Sequence, residues 1–448
     1  MSAQRDVAGK RLPAKQYEDN FSDIKPPLNA HQAAVESDRC YFCFDAPCTH
    51  ACPTGIDIPS FIYKIRSGNL TGSARDILAE NVFGAICARV CPVEDLCEGA
   101  CVRNTAEDKP VAIGLLQRHA TDALLDSGKP LFARAPVSGK RVAVVGGGPA
   151  GLACAHRLAM LGHDVSVFEA RAKLGGLNEY GIASYKVRHD IAQREIDWLM
   201  SIGGITAHVG QRVGVDIDLA QLRRDFDAVF LGFGLGAVNA LGLEDEGIPG
   251  VVDAVRYIED LRQTGDLSSL PVGRRVVVIG GGMTAIDIAV QTRKLGADEV
   301  TLLYRRGPEH MGASDYEREL AQSHGVNVRF WSRPQRLMLT NGEASGVEFV
   351  RTALVDGKLV ATGHTQELAA DMVFKAIGQT LVRDALNSSA LDILDTDVGR
   401  LRVDENRRTS LAGVWAGGDC VGISKDLTVA AVQDGKLAAI DIDRVFRA

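Results

Sequence analysis

Two units of strand, glycine turn, helix and strand, at Arg141 to Glu169 and at Arg275 to Arg306, predict an α/β fold. Eight cysteines crowded between Cys40 and Cys101 add a small cysteine-rich domain in front of them. Between the cysteine runs, FIYKIRSGNLTGSARDILAENVF has helical periodicity, so that leading domain is α-helical.

A chain of 448 residues has room for roughly three domains. Apolar residues make up 46% and charged residues 24%, a globular balance. The net charge of -7 gives no basic footprint, which argues against nucleic acid. MSAQRDVAGKRLPAKQ lacks the apolar core of a signal peptide, so a cytoplasmic location is expected. The longest uncharged run, Ala228 to Leu243, carries four glycines and is too short and broken to span a bilayer. Cysteines clustered in a reducing compartment bind metal more often than they form disulfides.

In chain order, residues 1 to about 30 read as a polar arm lying on some surface, and His31 to Cys40 as a short helix that delivers the first cysteine. The first run is Cys40-x2-Cys43-x4-Cys48-x3-Cys52-Pro53, and the second is Cys87-x3-Cys91-Pro92-x4-Cys97-x3-Cys101. Thiolates at such spacing converge on a cubane cluster, and a Cys-Pro closing a run is typical where its cysteine ligates the other cluster of a pair. Two 4Fe-4S clusters with crossed ligands are therefore expected. Zinc is the alternative, but paired Cys-x2-Cys knuckles are its usual signature and only one is present. Eight thiols suffice for two clusters without other ligands.

Pro110 to Gly128 reads as a helix stopped by glycine, and KPLFARAPVSGK as a linker. The first nucleotide turn is Gly146, Gly148, Pro149, Ala150, Gly151, with the G-x-G-x-x-G spacing, and Glu169 stands where a carboxylate takes a ribose hydroxyl pair. The diphosphate belongs on the helix N-terminus. Lys173 to Val187, with Gly176, Leu177 and Lys186, is a glycine-rich loop placed to lie over a flavin. EIDWLMSIGGI reads as helical, and Ala228 to Gly236 as a strand with a glycine exit.

The second turn is Gly280, Gly282, Met283, Thr284, Ala285, and its unit closes on Arg305 and Arg306 instead of an acid. Guanidinium groups pair with a 2′-phosphate that a carboxylate would repel, so this unit prefers NADP(H) and the first a cofactor without that phosphate. A β-rich stretch leads to Asp371 to Gln379, with Ala376 and Gly378 near the second site. Gly417-Gly418-Asp419 then lies at a strand end with a helix beginning near Thr428. An aspartate there can hold a ribityl chain, and the helix N-terminus can face the flavin N1/C2=O edge. FAD is thus expected on the first unit.

The expected plan is a helical 4Fe-4S domain over residues 1–135, then two Rossmann-like domains, the NADP(H) domain (269–385) inserted in an FAD domain made of 136–268 and 386–448. The return into the FAD domain is placed after about Leu386, with crossings near Gly236 and Gly378.

These motifs together, with AICARVCPVEDLCEGACV, VGGGPAGL, GGLNEYGIASYK, IGGGMTAID, LLYRR and AGGDCVG, resemble the family that spans the glutamate synthase small subunit and the N-terminal half of dihydropyrimidine dehydrogenase. The resemblance runs from about residue 30 onward. The Cys91-x5-Cys97-x3-Cys101 spacing and GLLQRHATD look like the dihydropyrimidine dehydrogenase branch, whereas the glutamate synthase branch has a glutamate in place of Gln117. That branch implies one cluster on Cys40, Cys43, Cys48 and Cys101 and another on Cys52, Cys91, Cys97 and the Gln117 side chain, with Cys87 as a spare thiol or as the rival fourth ligand. Met283 departs from the usual aspartate, and Phe233-Gly234-Leu235-Gly236 from the commoner A-T-G-A.

Hydride transfer needs no general acid–base pair, so no catalytic side chain is expected. Cys154 and Cys420 stand alone, so electrons would leave through the clusters and not through a dithiol. The resemblance implies an NADPH-accepting electron-input subunit. Its partner, in a hetero-oligomer, would carry FMN, further clusters and the uracil or thymine site, since the chain runs out at Ala448 soon after the flavin motif. The alternatives are a glutamate synthase small subunit or related NADPH–acceptor oxidoreductase, and a flavoprotein with a structural zinc-binding module.

Overall fold

A computed structural model describes residues 6–188, 190–382, 394, 396–397, 399–423 and 425–448. The expected return near Leu386 falls outside these residues. The chain divides into two compact units. The larger comprises Ile24–Glu179, Lys186–Gly236 and Leu381–Ala448, and the smaller Met1–Asp23, Tyr180–Tyr185 and Ala237–Thr380.

The larger unit opens with helices. Helix α1 (Ala30–Asp38) starts at Asn29 with a full capping box closed by Gln32. In α2 (Ile58–Arg66) the buried residues Ile58, Phe61, Ile62 and Ile65 recur at helical spacing, and Asp57 caps its start. Helix α3 (Leu70–Glu80) is capped by Asn69 and buries Ser73, Ala74, Ile77 and Leu78. Then come α4 (Gly84–Val90) and α5 (Ile113–Ser127), which Gly128 stops at φ 61°.

A five-stranded sheet follows in the same unit. Strand β1 (Arg141–Val145) is buried after its first residue, and β2 (Asp164–Glu169) alternates. Between them runs α6 (Pro149–Met160). Helix α7 (Ile191–Met200) leads to β3 (Ile205–Val209), and β4 is Ala228–Leu231. The segment EIDWLMSIGGI is thus helical only to Met200. Gly203 and Gly204 both take positive φ and turn the chain, so Ile205 begins a strand.

In the smaller unit, β5 (Val251–Asp253), β6 (Arg275–Gly280), β7 (Glu299–Leu303) and β8 (Val326–Arg329) are joined by α8 (Met283–Lys294), which connects β6 to β7. An antiparallel meander of β9 (Ser332–Thr340), β10 (Glu343–Val355) and β11 (Lys358–Ala369) precedes β12 (Met372–Ala376). The chain ends with β13 (Val414–Ala416) and α9 (Thr428–Arg447) in the larger unit.

The larger unit's sheet is parallel, in the order β13-β4-β1-β2-β3. The smaller unit's sheet is parallel too, in the order β8-β7-β6-β12-β5. Each places a glycine turn at the carboxyl end of a central strand, where ligands of open α/β sheets bind. The leading arm does lie on a surface. Val7–Ala8 pairs with Val272–Gly273, and Asn20 Nδ2 donates to the Lys294 carbonyl at 2.8 Å. Residues 237–268 join the smaller unit through β5. Among the described residues no helix is long and apolar enough to cross a membrane.

Candidate functional site

All ten cysteines are free, so no disulfide competes for the thiols. Cys40, Cys43, Cys48 and Cys101 line one pocket, walled by Ile58, Ile62, Val111 and Ile113. Burial, then repulsion from Cys101 and Cys40, pushes the Cys48 thiol up to about 11. Cys40 is raised by burial too, with Cys43 and Cys101 as its thiol neighbours. Cys91 and Cys97 form a second group with Cys52. Cys91 is raised well above its ordinary value by Cys87, by burial, and by Cys97 and Cys52, and Cys97 is raised by burial, Glu98 and then Cys52. Cys101 therefore lies beside Cys40 and Cys48, and Cys52 beside Cys91 and Cys97, while Cys97 also feels Cys48. Thiols so buried and so close ionise together only against a strong positive charge, which suits metal-bound sulfur. No three His, Cys, Asp or Glu among the described residues are gathered to hold a single ion.

Gln117 is 8% exposed on α5, and its Nε2 donates to the Gly84 carbonyl at 2.7 Å. That bond leaves Oε1 as the end of the amide able to coordinate. Cys87 is 2% exposed on α4. Sequence reasoning missed what holds α4. Glu195 of α7 is buried and accepts from Ala85 N at 2.6 Å and Ile86 N at 3.1 Å. Burial pushes its carboxyl up to about 8, against the opposing pull of those two amides. No local pattern marks it, because its partners lie 109 and 110 residues away.

The first nucleotide turn is built on close backbone approaches. Gly146 has φ 103°, and a Cβ there would come 2.4 Å from the Gly232 carbonyl oxygen. A Cβ on Gly176 would sit 2.8 Å from Gly148 Cα, so the loop and the turn stand back to back. Helix α6 starts at Gly148 without a side-chain cap and with Pro149 and Ala150 in its first turn. Its orphan N–H groups are available to a phosphate. Glu169 is buried at the end of β2. Its Oε2 accepts from Gly147 N at 2.7 Å and its Oε1 from Arg171 N at 2.8 Å, so the acid braces the turn and keeps further lone pairs. Leu177 begins a four-residue helix in the glycine-rich loop, and Lys186 lies in the same unit.

Gly418 takes φ 75°, and its N–H donates to Asp434 Oδ2 at 2.9 Å. Arg407 Nε holds the other Asp434 oxygen at 2.7 Å. Asp434, fully buried on α9, thus fixes the Gly-Gly-Asp turn, and nothing in the sequence singled it out. Burial, then repulsion from Asp426, pushes Asp419 up to about 6, with Arg400 opposing. Thr428 opens α9 and donates to Asn178 Oδ1 at 2.8 Å.

In the smaller unit, Gly280 approaches the Ala376 carbonyl so closely that a Cβ would lie 2.1 Å from its oxygen. Ala285 fills the third turn position, buried against β6. Helix α8 starts at Gly282 without a side-chain cap, and Met283 and Thr284 form its first turn. A Cβ on Gly282 would meet nothing within 4 Å. The Tyr304 ring lies over Gly281, and its hydroxyl donates to the His310 carbonyl. Arg305 and Arg306 flank it, and neither guanidinium has a hydrogen bond or ion pair among the described residues. Gly378 takes φ 91°, and its carbonyl accepts from Asn239 N.

Comparison with known proteins agrees with this layout. Residues 140–435 match the family model described as pyridine nucleotide-disulphide oxidoreductase. The chain belongs to that family. Residues 17–129 match dihydropyrimidine dehydrogenase domain II, 4Fe-4S cluster, which decides for iron–sulfur over zinc. This oxidoreductase is 33% identical to the glutamate synthase [NADPH] small chain of Escherichia coli, over 96% of this chain and 94% of that one. It is 34% identical to the NADP(+)-dependent formate dehydrogenase subunit beta of Moorella thermoacetica, over 90% of this chain and 60% of that one. FprA of Mycobacterium tuberculosis in complex with NADPH shares the fold, with TM-score 0.56 and 18% identity over 70% of this chain and 85% of that one. The cofactor set of this oxidoreductase is FAD, a pyridine nucleotide and 4Fe-4S chemistry. The disulphide of the family name has no counterpart among the described residues, since Cys154 and Cys420 are both free and buried.

Proposed function

We propose that this chain is the cytoplasmic, NADPH-accepting electron-input subunit of a two-subunit dihydropyrimidine dehydrogenase. Bound FAD would supply hydride acceptance from NADPH, and two 4Fe-4S clusters would supply single-electron transfer to a partner subunit whose FMN site would reduce uracil or thymine to the 5,6-dihydropyrimidine. The α6 N-terminus, Gly176, Leu177, Lys186, Gly418, Asp419 and Thr428 hold the flavin, with Glu169 on its ribose. The α8 N-terminus, Ala376 and Gly378 flank the nicotinamide nucleotide. Cys40, Cys43, Cys48 and Cys101 hold one cluster, and Cys52, Cys91, Cys97 and Gln117 the other.

The observation that carries this reading is Gln117, a glutamine and not a glutamate, with its amide nitrogen already bound to Gly84. The purified chain is expected to oxidise NADPH with an artificial acceptor and to leave uracil untouched until an FMN-bearing partner is added. Uracil-dependent NADPH oxidation by the chain alone would refute it. A second reading, a glutamate synthase small subunit, is favoured by the identity across nearly the whole of that relative. Turnover with a glutaminase-type large chain, and none with the FMN partner, would decide for it.

NADPH over NADH rests on Arg305 and Arg306, two cations just past β7 without partners among the described residues. A charge-assisted hydrogen bond contributes about 1.5–3 kcal/mol. Arg305→Ala is therefore expected to raise the KM for NADPH about 10- to 100-fold and that for NADH by far less. Equal changes in both would remove the argument.

A further inference from the structure

We propose that Lys436 is a positioning residue that sets the reduction potential of the cluster bound through Cys52. The inference deepens the reading above and rests on it. Helix α9 begins at Thr428, beside the Gly-Gly-Asp turn, and Lys436 lies eight residues on, about 12 Å along the axis. At the neighbouring Gly435 the helix touches backbone: a Cβ there would lie 2.1 Å from the Ala150 carbonyl oxygen of α6. The two helices are thus in close backbone contact there. Lys436 is 8% exposed, and its Nζ donates to the Thr54 carbonyl and to Glu80 Oε2, each at 2.8 Å. Thr54 is itself 3% exposed, with Oγ1 3.3 Å from Cys52 Sγ. An ammonium is thus anchored to the backbone of the Cys52-Pro53-Thr54 turn, one residue past the proline that closes the first cysteine run.

Net charge, hydrogen bonds to the sulfurs and burial set cluster potentials, and partners beyond the ligands tune the metal. A buried cation favours the reduced, more negative cluster, and the Thr54 hydroxyl it helps to place can donate to the ligand sulfur. Glu80 pulls the other way, and so the pair gives a test by sign. Arg157, which donates to the neighbouring Ala79 carbonyl, is another cation near Glu80 and is left intact.

The test is a redox titration of the cluster-loaded protein, followed by electron paramagnetic resonance, the signal being assigned by its loss in Cys97→Ser. Lys436→Gln is expected to make reduction about tenfold less favourable, a fall of 59 mV for one electron. Glu80→Gln is expected to move it upward, and Lys436→Arg to stay near wild type. Shifts of the same sign in both glutamine variants, or no shift in either with iron retained, would overturn the proposal. If Lys436→Gln does not fold, Glu80→Gln decides alone: a rise supports the proposal, and a fall or no change ends it. A wild-type protein that folds without iron would instead sink the proposed function.

Discussion

Gly151→Ala is expected to yield a folded protein that has lost its flavin. The new Cβ would sit 1.9 Å from the Gly146 carbonyl oxygen and 3.0 Å from Val144 Cγ1. Neither neighbour can give way. The carbonyl belongs to a turn whose own glycine is held at φ 103° against Gly232, and Val144 is buried in the central strand. The turn would have to open, and with it the N-terminus of α6 would leave the position from which its free N–H groups meet a diphosphate. Overpacking of this kind costs about 1–3 kcal/mol. If that strain falls on the bound form, FAD affinity drops about 10- to 100-fold. Flavin absorbance per mole of protein after gel filtration reads the effect, and iron content should stay at the wild-type level. Gly282→Ala is the control, because a methyl group there meets nothing within 4 Å. Its flavin content should be unchanged. Full flavin occupancy in Gly151→Ala would mean that the diphosphate is not held at this turn.

The contrast between these two glycines shows what a sequence can reveal. The G-x-G-x-x-G spacing, the β runs around it and the Cys-Pro ends of the cysteine runs are local patterns, and each marks a local necessity. The fold and the cofactor set follow from them. What holds the site together is not local. Asp434 reaches Gly418 and Arg407 from the last helix, and Glu195 reaches the N-terminus of α4 across more than a hundred residues. A buried carboxylate on an amphipathic helix looks, in sequence, like any exposed one. The end of α7 is hidden from the sequence for a related reason. Its apolar residues continue the helical spacing past Met200, but two glycines with positive φ break the backbone before that spacing can act.

Glu195 carries the last prediction. Its two oxygens take the first free N–H groups of α4, a helix whose start at Phe83 has no side-chain cap and which leads directly to Cys91. Removing both acceptors leaves two buried donors unpaired, so Glu195→Ala should destabilise the protein by about 3 kcal/mol. Iron should be lost from the Cys52 and Cys91 group before the Cys40 group. The pH dependence has a definite sign. Burial raises the carboxyl from its ordinary value to about 8, so folding takes up a proton. The stability this contributes is fully present below the unfolded pKa and is lost as pH rises through about 8. Between the unfolded pKa and about 8 wild type should lose about 1.4 kcal/mol per pH unit from this group, while Glu195→Gln, which cannot ionise, should not. Glutamine keeps one acceptor but turns an N–H toward the other amide, so it should be the weaker protein at pH 6.5. The gap in urea midpoints should then narrow between pH 6.5 and pH 8. A gap that stays constant or widens over that range would mean that Glu195 is already ionised at neutral pH, held by Ala85 and Ile86 as an ordinary carboxylate cap.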